Sequence, residues 1–420
     1  MSNLTRRHFV KLSGAAAALG AVGFAPTVRA AQRKVVVVGG GYGGAVAAKY
    51  LKMGDPSLDV TLIEMNKEYV SCPLSNPVIV GIRDIKVQTW GYDGLKKYGV
   101  NVVFDKVVGI DPAGKSVKTE GGTTFAYDKC VLSPGVEMKY AAIPGYSEEA
   151  SHVMPHAWKA GPQTLELGKQ LMAMEDGKNF VIVAPPDPYR CPPGPYERAS
   201  LVAWYLKKHK PKSKVIIVDP KEKFSKQGLF TGAWKELGLP VEWVGADNGK
   251  VTKVDAATKT VFTDMDKFEG GVVNVIPPQA AGHIAHVAGL VNDKGWCPVD
   301  LKTFESTMHK DIYVIGDSSV ATGMPKSGYA ANSEAKICVT AILASFMGKT
   351  APEPSYVNTC YSLITPDYGI SVALVGMFKD GKVAEISGGV SPAAASPEFR
   401  KQEALFAESW YQSIMQDTLR

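Results

Sequence analysis

Three of the six cysteines, Cys72, Cys191 and Cys360, stand among residues that form turns, in Ser71-Cys72-Pro73, Arg190-Cys191-Pro192 and Asn358-Thr359-Cys360-Tyr361. Prolines beside Cys72 and Cys191 stiffen their loops, and Arg190 is placed to stabilise a thiolate, the reactive form of the side chain. Such a trio suits sulfur redox chemistry or an ordinary structural disulfide with a spare thiol, and spacing alone leaves both open. The remaining three are expected to be structural. Cys130 lies in the apolar run Cys130-Val131-Leu132, Cys338 lies between Ile337 and Val339 in a helical stretch, and Cys297 lies between Trp296 and Pro298. No C-x-x-C or C-x-x-C-H occurs, so neither a cysteine-rich zinc site nor a c-type haem attachment is carried on this chain, and no metal ligand set is expected.

A second chemistry is phosphate binding. Lys34-Val35-Val36-Val37-Val38 reads as a buried parallel strand and enters Gly39-Gly40-Gly41-Tyr42-Gly43-Gly44, with a helical stretch from Ala45 to Leu51. Gly39 permits the tight turn, Gly41 lets the backbone approach a pyrophosphate, and Gly44 lets helix and strand pack closely. A second strand, Asp59 to Ile63, ends at Glu64, whose carboxylate suits a ribose diol. The motif follows a leader and opens the chain beyond it, which favours FAD over NAD. Two more segments point the same way. Ile312-Tyr313-Val314-Ile315-Gly316-Asp317 resembles the second FAD motif of two-dinucleotide-fold flavoproteins, with Asp317 placed for the ribityl or pyrophosphate region, and Val131-Leu132-Ser133-Pro134-Gly135 resembles their short strand and turn.

Phe180-Val181-Ile182-Val183-Ala184, a helical stretch from Glu197 to about Lys208 and Val215-Ile216-Ile217-Val218-Asp219 outline a second βαβ unit. Pro185-Pro186-Asp187-Pro188-Tyr189-Arg190-Cys191-Pro192-Pro193-Gly194-Pro195 stands where a glycine loop belongs. Proline has no N–H to offer and a fixed φ, so this turn cannot cradle a pyrophosphate. An NAD-like outline without NAD binding is expected, which argues against an NADH-fed reductase.

Together these segments resemble the flavoprotein subunit of flavocytochrome c sulfide dehydrogenase over essentially the whole chain beyond the leader. The resemblance rests on Val38 to Gly44, Ser71-Cys72-Pro73-Leu74-Ser75-Asn76, Tyr189 to Arg198, Gly316-Asp317 and Asn358-Thr359-Cys360-Tyr361-Ser362-Leu363-Ile364. It implies a sulfide:cytochrome c oxidoreductase. By that resemblance Cys72 carries FAD through a thioether, Cys191 and Cys360 form a redox-active disulfide that hydrosulfide attacks, and a c-type cytochrome subunit holds the haem. Glu197 is a candidate proton acceptor or a plain helix-start acid. Lys326, before a helix expected near Gly328, is a candidate for the flavin pyrimidine or a surface lysine. His283 and His286 have no partner carboxylate nearby in sequence and are left as ordinary histidines. The rivals are a sulfide:quinone oxidoreductase, an NADH-dependent reductase and a flavin-free assembly partner.

The elements that must position these residues form an α/β architecture of two Rossmann-like dinucleotide-binding domains plus a C-terminal α+β interface segment. The FAD domain is expected over 31–150 and 285–350, the NAD-like domain over 151–284, and the interface segment over 351–420. Its last residues, Ala404 to Arg420, are mixed in charge and make a poor membrane anchor. Residues 1–30 resemble a twin-arginine signal: Thr5-Arg6-Arg7-His8-Phe9-Val10-Lys11, an apolar stretch from Leu12 to Phe24, and Val28-Arg29-Ala30. Export to the periplasm is therefore expected. The net charge of +6 falls to +2 without this leader, so neither nucleic acid nor an anionic membrane surface is an expected partner. No later segment has the ~18 consecutive apolar residues of a spanning helix.

Overall fold

Four consecutive valines, 35–38, are buried on both faces of the first strand, where β-branched side chains pack between two layers. A computed structural model describes residues 32–420, and the twin-arginine leader lies outside the described residues. Along the chain, β1 (Lys34–Val38) leads into α1 (Tyr42–Gly54), β2 (Asp59–Glu64), β3 (Asn101–Phe104) and β4 (Lys129–Leu132). A second series follows: β5 (Phe180–Val183), α2 (Gly194–His209), β6 (Val215–Val218), α3 (Gln227–Glu236), β7 (Val241–Val244) and β8 (Val272–Val275). The chain returns to the first series with β9 (Ile312–Val314) and α4 (Gly328–Phe346). It closes with β10 (Ser355–Thr365), β11 (Tyr368–Lys379), β12 (Lys382–Val390) and α5 (Pro397–Leu419).

Two parallel sheets result, in the orders β9-β4-β1-β2-β3 and β7-β6-β5-β8. Parallel neighbours need crossover connections, and here α1, α2 and α3 supply three of them. Helix α1 starts three residues before the expected Ala45, directly after the glycine turn. Helix α2 starts at Gly194, because a proline in its first turn has a φ already suited to a helix.

The last three strands form an antiparallel meander. Here the structure corrects the sequence reading of Cys360. It lies inside β10, paired with Val372, and not in a turn. Asn358 was read as a turn former, but Tyr356, Val357, Thr359, Tyr361 and Ile364 are strand formers, and eleven residues of ladder outweigh one local preference. Helix α5 packs on β11 and α1. Its Asp417 carboxylate accepts from Tyr50 Oη (2.7 Å), Asn332 Nδ2 (2.9 Å) and Lys336 Nζ (2.8 Å), and Glu408 pairs with Arg83 at 2.5 Å. Among the described residues no helix is long and apolar enough to cross a membrane, and no cluster of side chains suits a metal.

Candidate active site

The glycine turn is built as a phosphate cradle. Gly39 has φ +94°, and its N–H donates to Ile63 O at 2.9 Å. A Cβ on Gly44 would lie 1.8 Å from Gly39 O, so this glycine serves packing. A Cβ on Gly41 would touch only the Tyr69 ring, at 3.6 Å, so its bare side is open to a ligand. The first N–H groups of α1 have no side-chain cap, which leaves a ready anion site at the end of a thirteen-residue helix. Glu64 reaches into the turn, its Oε2 accepting from Gly40 N–H at 2.7 Å and its Oε1 from Asn66 N–H at 2.9 Å.

Among the described residues eight buried side-chain polar atoms lack a partner, and four of them are Tyr92 Oη, Arg190 Nε, Gln279 Nε2 and Asp317 Oδ1. Each such atom costs about 1–3 kcal/mol if left unsatisfied. Tyr92 abuts Gly40, and Asp317 and Arg190 lie close enough for each to act on the other's charge. Burial pushes the Asp317 carboxyl up, against the pull of Arg190 and Lys326. FAD, which carries hydrogen-bonding groups along its whole length, fits this series of orphaned atoms beside an open phosphate cradle. Gly39, Gly41, Gly44 and Glu64 would hold its adenosine diphosphate half, and Gly316 and Asp317 would meet the ribityl and pyrophosphate region.

Cys72, Cys191 and Cys360 gather near Arg190. Cys130, Cys297 and Cys338 are fully buried with their thiols pushed up by burial. Cys72 lies 3.7 Å from Trp158 O. Cys191 has a left-handed φ of +59°, and its N–H donates to Lys326 O at 2.8 Å. Gly194 must be glycine, since a Cβ there would lie 2.6 Å from the Trp158 ring and 3.0 Å from Cys191 Sγ. Burial raises the Cys191 thiol, and the charges of Cys360 and Glu197 raise it further while Arg190 lowers it. Burial likewise raises Cys360, which Lys226 lowers. The sulfurs of Cys72, Cys191 and Cys360 thus share one electrostatic neighbourhood, in which the charges of Cys72, Asp317 and Cys191 act on Arg190.

Glu197 is more than a helix-start acid. It crosses to other segments, with Oε2 accepting from Asn76 Nδ2 at 2.8 Å and Oε1 from Leu363 N–H at 2.8 Å, and burial raises its carboxyl. Three cysteine segments are thereby tied: Asn76 follows Cys72, Glu197 follows Cys191, and Leu363 follows Cys360. Arg198 completes the frame by donating to Asn76 Oδ1 (3.0 Å), Asn274 Oδ1 (2.8 Å), His156 O (2.9 Å) and Ala157 O (2.8 Å). Asn76 and Arg198 stood in the sequence only as the ends of two matching segments, and Asn274 and Lys226 had no signal beyond their polarity, because the partners of all four are distant along the chain.

Lys326 is not a plain surface lysine: its Nζ donates to Asp317 O and Ser319 O, both at 2.8 Å, and sits 3.9 Å over the Trp296 ring. His283 is exposed, with Glu137 at 3.8 Å. In the second sheet, the acid after β6 is fully engaged. Buried Asp219 accepts from Tyr196 Oη (2.6 Å) and Trp243 Nε1 (3.0 Å) and pairs with Lys221 at 2.7 Å, while Tyr196 stacks on Phe224 at 3.7 Å.

Comparisons with known proteins agree with this geometry. Two models of sulfide dehydrogenase [flavocytochrome c] flavoprotein match, the central part at residues 164–277 and the flavin-binding part at 352–419, and the pyridine nucleotide-disulphide oxidoreductase model matches 33–183. The sulfide dehydrogenase [flavocytochrome c] flavoprotein chain of Chlorobaculum thiosulfatiphilum is 59% identical over 46 residues, 11% of this chain and 96% of that sequence. Mouse mitochondrial sulfide:quinone oxidoreductase is 21% identical over 307 residues, 71% of this chain and 67% of that protein. Among solved structures, the sulfide:quinone oxidoreductase of Aquifex aeolicus superposes with a TM-score of 0.72 at 17% identity, covering 92% of each chain, which shows a shared fold.

Proposed function

The chain belongs to the family of flavocytochrome c sulfide dehydrogenase flavoprotein chains, a sulfide-oxidising FAD flavoprotein, and from that premise we propose that it oxidises hydrosulfide at a Cys191–Cys360 disulfide and passes the electrons to a c-type cytochrome subunit. The observation that carries this reading is the gathering of Cys72, Cys191 and Cys360 around Arg190 and Glu197 at one end of the FAD cradle. Hydrosulfide attacks one sulfur of the pair, and the other leaves with the electrons of the broken bond as a thiolate. Glu197, buried with a raised carboxyl, takes the proton of the new persulfide. FAD supplies the two-electron acceptor and the one-electron donor that link sulfur to haem. Cys72 holds FAD covalently, in the FAD lobe at 31–150 and 285–350. The NAD-like lobe at 151–284 is a scaffold, in keeping with the engaged Asp219. The interface segment, 351–420, brings Cys360 to the flavin and offers surface to the cytochrome. Residues 1–30 direct the chain to the periplasm by the twin-arginine route.

An anaerobic titration of the purified protein tests the reading. Sulfide alone is expected to bleach the flavin absorption, a c-type cytochrome to restore it, and NADH to leave it unchanged. Bleaching by NADH alone moves the protein to the pyridine-nucleotide reductases, and reoxidation by a soluble quinone analogue but not by cytochrome moves it to the quinone reductases. After acid precipitation the yellow colour is expected to stay with the protein, and to be lost to the supernatant in Cys72→Ser.

A further inference from the structure

Lys226 stands where a lysine is least favoured. Its φ is +60°, a left-handed conformation strained for any residue with a Cβ. It is the N-cap residue of α3, so a cation sits at the positive end of the helix dipole. The side chain is half-buried, and burial pulls its pKa down against the charges of Cys360, Glu197, Cys191 and Glu403. It donates to Ser362 Oγ at 2.9 Å and passes 5.8 Å over the Phe230 ring, with no carboxylate within ion-pair distance among the described residues. Glu403 is already committed to Arg400, Ser371 and Ser391. Local strain of this kind concentrates where function requires it.

The placement gives the reason. Cys360 and Ser362 are two residues apart on β10, so both project from the same face of the strand. The Leu363 N–H next along the strand holds Glu197. A cation on the Cys360 face therefore comes from the far lobe of the protein, at the left-handed corner that starts α3. We propose that Lys226 is a positioning residue of the sulfur site, holding negative charge on the Cys360 sulfur during thiol–disulfide exchange. This rests on the Cys191–Cys360 reading above. In the exchange the hydrosulfide electron pair makes a new S–S bond and the pair of the Cys191–Cys360 bond departs on the other cysteine. If Cys360 leaves, it becomes a thiolate. If Cys360 is attacked, Cys191 leaves as the thiolate and Cys360 becomes a persulfide whose outer sulfur, after losing its proton to Glu197, carries the negative charge. Either route places a negative sulfur beside Lys226.

The test uses the reduced holoprotein and needs no sulfide turnover, so it fails or succeeds independently of the substrate assignment. Alkylation of Cys360 by iodoacetamide is followed against pH by peptide mass spectrometry in wild type, Lys226→Met, Lys226→Gln and Lys226→Arg. An opposite charge within about 4–6 Å moves a titration by about 1–3 units. The Cys360 midpoint is expected to rise by about one unit or more in the Met and Gln variants, with alkylation at pH 7 slowed about ten-fold, and to return to the wild-type value in the Arg variant. Both neutral variants are expected to be at least as stable as wild type, because they remove a half-buried cation from a helix N-terminus. Unmoved midpoints in natively folded Met and Gln variants overturn the proposal, as does an Arg variant that shifts like the neutral ones.

Discussion

Burial pushes the carboxyl of Glu334 up to about 8, against the Gly316 N–H that it accepts at 2.6 Å and the charge of Lys326. The folded chain therefore keeps a proton that the unfolded chain has released, over the window from about pH 4.5 to about 8. Stability from this group is full below that window and is lost as pH rises through it. Glu334→Gln keeps an oxygen for Gly316 but has nothing to titrate, so its stability relative to wild type is expected to rise from pH 5 to pH 8 in urea unfolding, by about 1 kcal/mol or more. A constant difference across that range contradicts the assignment. The residue was invisible as a functional group in sequence. It lies mid-helix in α4, and only the fold brings it to the Gly316-Asp317 turn.

The elements were the most legible part. Strands β1, β2, β4, β5, β6 and β9 stand within a residue of where apolar runs put them, because strands buried on both faces need continuous apolar side chains. The glycine turn was legible for the same reason: each glycine answers to a backbone constraint. Its members differ in what they constrain, and substitution separates them. Gly44→Ala is expected to destabilise the protein by about 3 kcal/mol or more, since backbone must move to admit its methyl group beside Gly39 O. Gly41→Ala is expected to fold normally and retain FAD poorly, because its methyl group projects into the cradle. Thermal melts and the ratio of flavin to protein absorbance distinguish the two, and a Gly41→Ala protein with full FAD content counts against the cradle. Strand β10 was the element misread, its cysteine taken for a turn residue from two polar neighbours.

Helix α5 holds the molecule's last layer to its first. Burial works against the charge of Asp417, but bonds from Lys336, Asn332 and Tyr50 outweigh it and hold the carboxyl below its usual range. The stabilisation is present above about pH 4 and is lost as pH falls through the lowered pKa. Asp417→Ala is expected to cost about 2–3 kcal/mol at neutral pH, the range for hydrogen bonds to a charged group, with a deficit that shrinks in acid. A deficit independent of pH shows that packing and not charge is what was lost.

The sequence by itself determined the two nucleotide-fold outlines, the loss of phosphate-binding glycines from the second, and which three cysteines were candidates for chemistry. These are local properties: apolar periodicity, the φ range of glycine and the missing N–H of proline act within a few residues. Tertiary structure decided which groups act on those cysteines. Glu197, Asn76 and Leu363 meet although they come from three separate segments, Lys326 is held by the Asp317 and Ser319 carbonyls, and Lys226 arrives on the Cys360 face from another lobe. Electrostatic and hydrogen-bond partners are set by distance in space, which neither composition nor spacing along the chain encodes.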